Sequence, residues 1–335
     1  MTKLCMLLCL LLLCGCAKQA QPPAPAPAPV PEPLPVVSAE PAAAEPESPA
    51  PIEIEEEAVA LAEAPAPAVS TVLAAEASGL REARCDSAVI DYSHTEDGYV
   101  MAQFTAQTDK RLKVQVKGPS TTSTYNLPRG QWTVFPLSDG NGSYQVVVYQ
   151  NVTASQYATV LSANFSVSLQ DEFVPFLRPN QYVDYSSAKN TVDKGAALCA
   201  GLSDPLDKVD AVYDYVVDTL SYDYDKAATV TSGYLPVLDT VLREKKGICF
   251  DYAALMAAML RSQEIPCKLV VGYADSVYHA WISVWTEKDG WIDGVIFFNG
   301  SVWKRMDPTF ASSGGRSEEI MDYIEHGSYT VKYLY

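Results

Sequence analysis

The sequence predicts an α+β protein in which a small β-sandwich-like domain precedes a mixed domain of helices and antiparallel strands. Three observations lead there. From about Arg81 to Leu177, short alternating runs are separated by turn residues. After Pro179-Asn180 the apolar spacing lengthens to three and four residues, the mark of helices. Near Gly247 a sharp helix start is followed by further strand patterns and a hairpin signal. A chain of 335 residues has room for about two such domains.

Composition narrows the functional classes. The formal charge is −17, and between Lys18 and Arg81 there are ten glutamates and no basic residue. An acidic chain repels phosphate backbones, so nucleic acid is not an expected partner. Of eight cysteines, Cys5, Cys9, Cys14 and Cys16 fall in the first sixteen residues, and Cys85, Cys199, Cys249 and Cys267 lie in the body. No pair has C-x-x-C spacing and only three histidines are present, so no metal site and no other cofactor is expected. Cys85 and Cys199 could pair if they meet in space, but nothing in the spacing favours it.

The chain begins with Met1-Thr2-Lys3 and an apolar run from Leu4 to Leu13. That run is about half the roughly twenty residues a bilayer-spanning helix needs, and it reads as an export signal. It ends in Leu13-Cys14-Gly15-Cys16, which resembles the lipobox of bacterial lipoproteins. The resemblance implies that residues 1–16 are a lipoprotein signal with its lipobox, that Cys16 is acylated and becomes the mature N-terminus, and that the protein is lipid-anchored to a bacterial membrane outside the cytoplasm. Residues 17–80 form a Pro/Ala/Glu tract whose alternating prolines exclude helix and sheet and favour an extended stalk.

Residues 81–177 contain five clear strand candidates: 99–104, 112–116, 131–135, 144–149 and 164–169. Asp139-Gly140-Asn141-Gly142 is a strong turn signal between two of them. His94 stands alone there and reads as a loop histidine. This part is expected to act as a spacer or a substrate-docking module.

The second domain, 178–335, opens its helical part with Asp204-Pro205, a capping residue followed by proline at the first helical position. Leu206, Val209, Tyr213, Val216 and Leu220 then mark one apolar face. A strand-like Leu220-Ser221-Tyr222-Asp223-Tyr224 leads into a loop through Gly233, and a short helix over about 237–243 is expected to stop at Gly247. Cys249 follows on the first turn of a helix containing Ala253, Met256, Ala257 and Leu260. Unpaired N–H groups and the positive dipole end favour a thiolate at such a position. Cys267 begins a buried strand, Ala280 to Trp285 alternates as another, and Asn299-Gly300 is the clearest hairpin signal. A cysteine on a helix start, with His279 and Asp307 at strand ends, supplies a nucleophile, a base and an orienting group in order.

Gly247-x-Cys249-x-x-x-Ala253-x-Leu255, Arg261, Ile265-Pro266, Val271-Gly272-Tyr273, His279-Ala280-Trp281 and Asp307-Pro308-Thr309 together resemble the transglutaminase-like superfamily. The resemblance covers roughly residues 205–310. It implies a papain-like core and acyl transfer through a thioester on Cys249, with His279 moving the proton and Asp307 orienting His279. It also suggests Tyr222 as a second oxyanion donor beside the Cys249 N–H, and Trp281 as a shield over the His279–Asp307 contact. Asp251 is left as an unexplained charge. The fold does not decide the acyl acceptor. Hydrolysis of peptides or amides by a surface-anchored enzyme is the leading expectation; cross-linking of envelope proteins and a non-catalytic adhesion role stay open.

Overall fold

Alternation in the first half of the chain builds a two-sheet sandwich. A computed structural model describes residues 65–275, 277–293, 296–298, 303–305, 309 and 328–335. Cys16, Asp307, His326 and the Asn299-Gly300 turn lie outside the described residues. The strands are β1 (Glu82–Arg84), β2 (Ala88–Asp91), β3 (Tyr99–Phe104), β4 (Leu112–Lys117), β5 (Thr122–Asn126), β6 (Thr133–Pro136), β7 (Gly142–Thr153) and β8 (Gln156–Val167). They pair antiparallel in two sheets of order β1-β2-β3-β6 and β5-β4-β7-β8. Leu112, Val114 and Val116 are buried while Lys113, Gln115 and Lys117 between them are only partly covered, as a half-buried strand requires. Val100, Phe104, Tyr125, Phe135, Val146 and Val148 fill the core.

The turn at Asp139-Gly140-Asn141-Gly142 joins β6 to β7, which lie in different sheets, so it is a crossing between layers and not a hairpin. Asp139 holds it: its carboxylate accepts from the Ser120 and Thr121 N–H groups at 2.6 and 2.8 Å. The true hairpin is β7–β8, whose tight connection carries Ala154 at positive φ.

Residues 65–80, ahead of the sandwich, are held against the folded unit. Ala68 N–H donates to the Ala196 carbonyl at 2.9 Å, Thr71 N–H to the Ser262 carbonyl at 2.8 Å, and Gly79 N–H to Asp91 Oδ2 at 2.6 Å. Arg178 donates to the Ala74 carbonyl and covers the Tyr99 ring at 4.8 Å. Residues 65–80 are therefore a strap laid along the folded unit, where composition had been read as an extended tract through residue 80. Proline-poor sequence after Pro67 is the signal that marked the change.

The second half comprises α1 (Lys189–Leu198), α2 (Pro205–Thr219), β9 (Ser221–Tyr222), α3 (Tyr224–Thr229), α4 (Leu238–Glu244), β10 (Lys246–Gly247), α5 (Cys249–Ser262), β11 (Cys267–Ala274), β12 (Val277–Thr286), β13 (Gly290–Asp293), β14 (Ile296–Phe298), β15 (Trp303–Arg305) and β16 (Tyr329–Leu334). An antiparallel sheet of order β13-β12-β11-β16 carries the α5 helix, and β14 pairs with β15. α2 begins as expected, with Asp204 Oδ1 accepting from Leu206 N–H at 2.8 Å.

The α5 helix is apolar all round from Ala253 to Leu260, and every residue from Asp251 to Ser262 is buried. Such a helix belongs in the middle of a domain. Alanines 253, 254, 257 and 258 let α1, α2, α4 and the sheet approach closely, while Leu255 and Met256 are fully enclosed. Each enclosed side chain of that size stabilises by about 1.5–3 kcal/mol, so packing, more than helix propensity, holds the helix. Arg261, 1 % exposed, donates to the main-chain carbonyls of Cys267, Arg178 and Tyr335 at 2.8, 2.8 and 2.6 Å. It thus ties three separated chain segments to the end of α5.

Two local expectations change. The loop after Tyr222 contains α3, capped by Asp223 Oδ1 accepting from Lys226 N–H at 3.0 Å. The α4 helix stops at Lys245, which takes the left-handed conformation at φ 52°, while Gly247 goes into β10, parallel to β9. Elements α1 and β16 have sequence patterns too short to read without their partners. Cys85, Cys199, Cys249 and Cys267 are all free thiols, so Cys85 and Cys199 are not joined.

Candidate active site

The site is assembled from the α5 start, the edge of β12 and the loop after α3. Cys249 is the first residue of α5 and is partly exposed. Its position is set by Asp251, whose side chain is fully buried and folds back over the helix start. Asp251 Oδ2 accepts from Ile248 N–H and from Lys226 Nζ, both at 2.9 Å, and Oδ1 accepts from the Tyr234 hydroxyl at 2.6 Å. The carboxylate satisfies one of the orphan donors of the first turn and places negative charge where the helix dipole favours it. Gly247 is required by the same arrangement: a Cβ there would come within 2.6 Å of Asp251 Cβ. The charge that had no explanation in the sequence is the clamp that aims the cysteine helix.

Lys226 titrates above the ordinary lysine range. Burial pulls its ammonium down, and the hydrogen bonds to Asp251 and Tyr234 outweigh that. The ammonium therefore stays protonated at neutral pH, and its bonds join α3 and the Tyr234 loop to the α5 start.

His279 lies on β12, 4 % exposed, opposite Gly272 of β11. The Trp281 ring, two residues along on the same face, is nearly parallel to the imidazole, with centroids 6.3 Å apart and planes 20° apart. Tyr329 of β16 packs edge-on against Trp281 at 5.2 Å. A Cβ on Gly272 would come within 2.9 Å of Trp281 and would strike the Thr330 carbonyl. Glycine at 272 thus lets the tryptophan and β16 close on the strand that carries His279.

Cys249 and His279 line one cleft of about 570 Å³. Tyr222, paired through β9 with Gly247, is on its wall, and its ring meets Tyr224 edge-on at 5.0 Å. Trp281 is behind His279 and does not line the cleft. Sequence reasoning missed most of the remaining wall: Tyr182, Tyr234, Phe250, Tyr278, Tyr333 and Tyr335. Tyr278 is held above the ordinary phenol range by burial, then by Tyr333, Tyr273 and Cys249. Tyr182 is pushed up to about 12, mainly by burial, and its hydroxyl donates to the Thr124 carbonyl at 3.1 Å. The density of tyrosines in 329–335 was the available signal.

The thiols differ in their surroundings. Burial pushes Cys267 up to about 12, and burial also raises Cys199. Both are core residues sealed from reagents, while Cys249 opens on the cleft. Among the described residues no group of three or more His, Cys, Asp or Glu side chains is placed to hold a metal ion.

Residues 193–293 match the family model described as the transglutaminase-like superfamily. This segment is a transglutaminase-like domain. The match contains Cys249 and His279 and ends before Asp307. No curated protein sequence matches the chain. Among solved structures, the chain is similar to a provisionally assigned cysteine protease from Cytophaga hutchinsonii, at 15 % identity over 76 % of this chain and 82 % of that one, with a TM-score of 0.33. It is also similar to a provisionally assigned protease from Parabacteroides distasonis, at 15 % identity over 46 % and 38 % of the two chains, TM-score 0.28. A third likeness is to red sea bream transglutaminase, at 12 % identity over 70 % and 56 %, TM-score 0.26. At these scores the assignment of the transglutaminase-like domain rests on the sequence match.

Proposed function

We infer that the protein is a thiol acyl-transfer enzyme that hydrolyses peptide or amide bonds. The observation that carries this reading is the cleft shared by Cys249, at the start of a buried helix, and His279, on the facing strand. Cys249 Sγ attacks the carbonyl carbon, its proton passing to His279. The C–N bond then breaks, the amine leaves with the proton from His279, and an acyl thioester remains. Water attacks that thioester, giving its proton to His279 as the acid departs, and the proton returns to the thiol. The Cys249 N–H, with Tyr222 as second donor, would face the oxyanion, where one donor is worth about 3–4 kcal/mol. Asp307 would orient His279, and Trp281 would keep water from that contact.

The acceptor is decided by incubating the protein with a peptide mixture and a primary amine and reading products by mass spectrometry. Shortened peptides are expected. Amine-linked peptides in their place would move the assignment to cross-linking, and neither product from folded protein would leave only a binding role. The same reading sets the enzyme outside the cytoplasm on an acylated Cys16. Cys16→Ser should then release it from the membrane fraction, and unchanged partitioning would remove the anchor.

A further inference from the structure

The sandwich does more than space the catalytic domain from its stalk, because one of its strands reaches the cleft. Thr124 of β5 lines the same cavity as Cys249 and His279, together with residues 230–234 of the loop after α3. Asn126, two residues along β5, donates from Nδ2 to the Gly233 carbonyl at 3.2 Å, and its Oδ1 accepts from Lys113 Nζ at 2.6 Å. Gln181 bonds both main-chain groups of Asn126, at 2.9 and 2.8 Å, and Tyr182 bonds the Thr124 carbonyl. The loop is consequently held from two sides: by Asp251 through Lys226 and Tyr234, and by β5 through Gly233.

The chemistry of this wall is distinctive in so acidic a chain. Among the described residues lining the cleft there is no Asp, Glu, Lys or Arg, whereas six are tyrosines. Lys226 and Asp251, which hold Tyr234 from behind, are paired with each other at 2.9 Å. A side chain entering such a cleft leaves water and meets ring faces and hydroxyls, and none of the described lining residues is an Asp, Glu, Lys or Arg that could compensate a buried charge.

We propose that β5 and the 230–234 loop form the selectivity wall for the acyl donor, with Thr124 as its contact point, and that the wall admits peptide segments with uncharged side chains beside the reacting bond. This deepens the proposed hydrolase reading and rests on it. Thr124 is exposed on a well-paired strand, so charged replacements there leave the sandwich core untouched.

The test uses the full chain and three matched peptide sets, carrying neutral, lysine or glutamate side chains next to the cleaved bond. Wild type should favour the neutral set at least tenfold in kcat/KM over both charged sets. Thr124→Glu should raise kcat/KM for the lysine set and Thr124→Lys for the glutamate set, each by about tenfold, with opposite changes for the other sign. Equal turnover of the three sets by wild type, or two variants with the wild-type preference, would overturn the wall. Labelling of Cys249 by iodoacetamide in wild type, measured alongside, separates the outcomes. A wild type that neither labels nor turns over any set fails as an enzyme, and the wall fails with it. A labelled, active enzyme without the switch refutes the wall alone.

Discussion

Cys249→Ala should lower peptide hydrolysis by about 10⁴-fold or more while leaving the thermal melt close to wild type. The thiol is the first residue of a helix whose stability comes from its buried length, so removing a partly exposed sulfur costs little packing. The acyl intermediate, by contrast, cannot form without it. Residues that act as one catalytic unit give non-additive losses. The double variant Cys249→Ala/His279→Ala should therefore be no slower than the single one, measured as kcat/KM. A further large loss in the double variant would mean that His279 works in some step independent of the thiol, and the shared-cleft mechanism would be wrong.

Asp251→Ala should destabilise the fold by about 3 kcal/mol, the scale on which a buried ion pair responds to loss of one partner. The variant strands the Ile248 N–H and the Tyr234 hydroxyl, and leaves the Lys226 ammonium without its carboxylate. Charge linkage supplies a second readout. The folded-state pKa of Lys226 is above its unfolded value near 10.5, so the pair contributes its full stability below about pH 10.5 and loses it as pH rises through the folded value. Denaturant melts of wild type and variant should accordingly differ by a constant amount from pH 7 to 10 and converge only above that range. A difference that already shrinks between pH 7 and 9 would show that the Lys226–Asp251 pair is not what the variant removes. Asp251→Asn should recover part of the loss, because the amide oxygen can still accept from Ile248.

How much of this was legible in the sequence depends on the range of the forces involved. The Cys249 helix start, the Asp204 cap and the β3 and β4 alternation are local, and they were read within a residue or two. Gly247 was read as a helix stop because glycine usually supplies positive φ. Here Lys245 takes that conformation and Gly247 is glycine because Asp251 needs the space, a contact that composition cannot reveal. The same limit hid Asp251, whose partners Lys226 and Tyr234 come from the α3 segment, read only as strand and loop. Arg261 was visible as a motif residue, but the three carbonyls it gathers lie 6, 83 and 74 positions away. Strand β16 was missed since its alternation is weak and its neighbour β11 lies some sixty residues earlier. The tyrosines it brings to the cleft were missed with it. The contribution of Thr124 was out of reach, because it depends on how the sandwich meets the second half of the chain.

The central claim is that Cys249 carries the acyl group. It is tested most directly by mixing the protein with an activated acyl donor, quenching in acid within the first turnover, and mapping the adduct by peptide mass spectrometry. An acyl thioester is expected on the peptide containing Cys249, absent from Cys249→Ala and discharged by water or added amine over time in wild type. An adduct on Cys85 that persists in Cys249→Ala, or turnover of peptide with no acyl-enzyme at any cysteine, would contradict it.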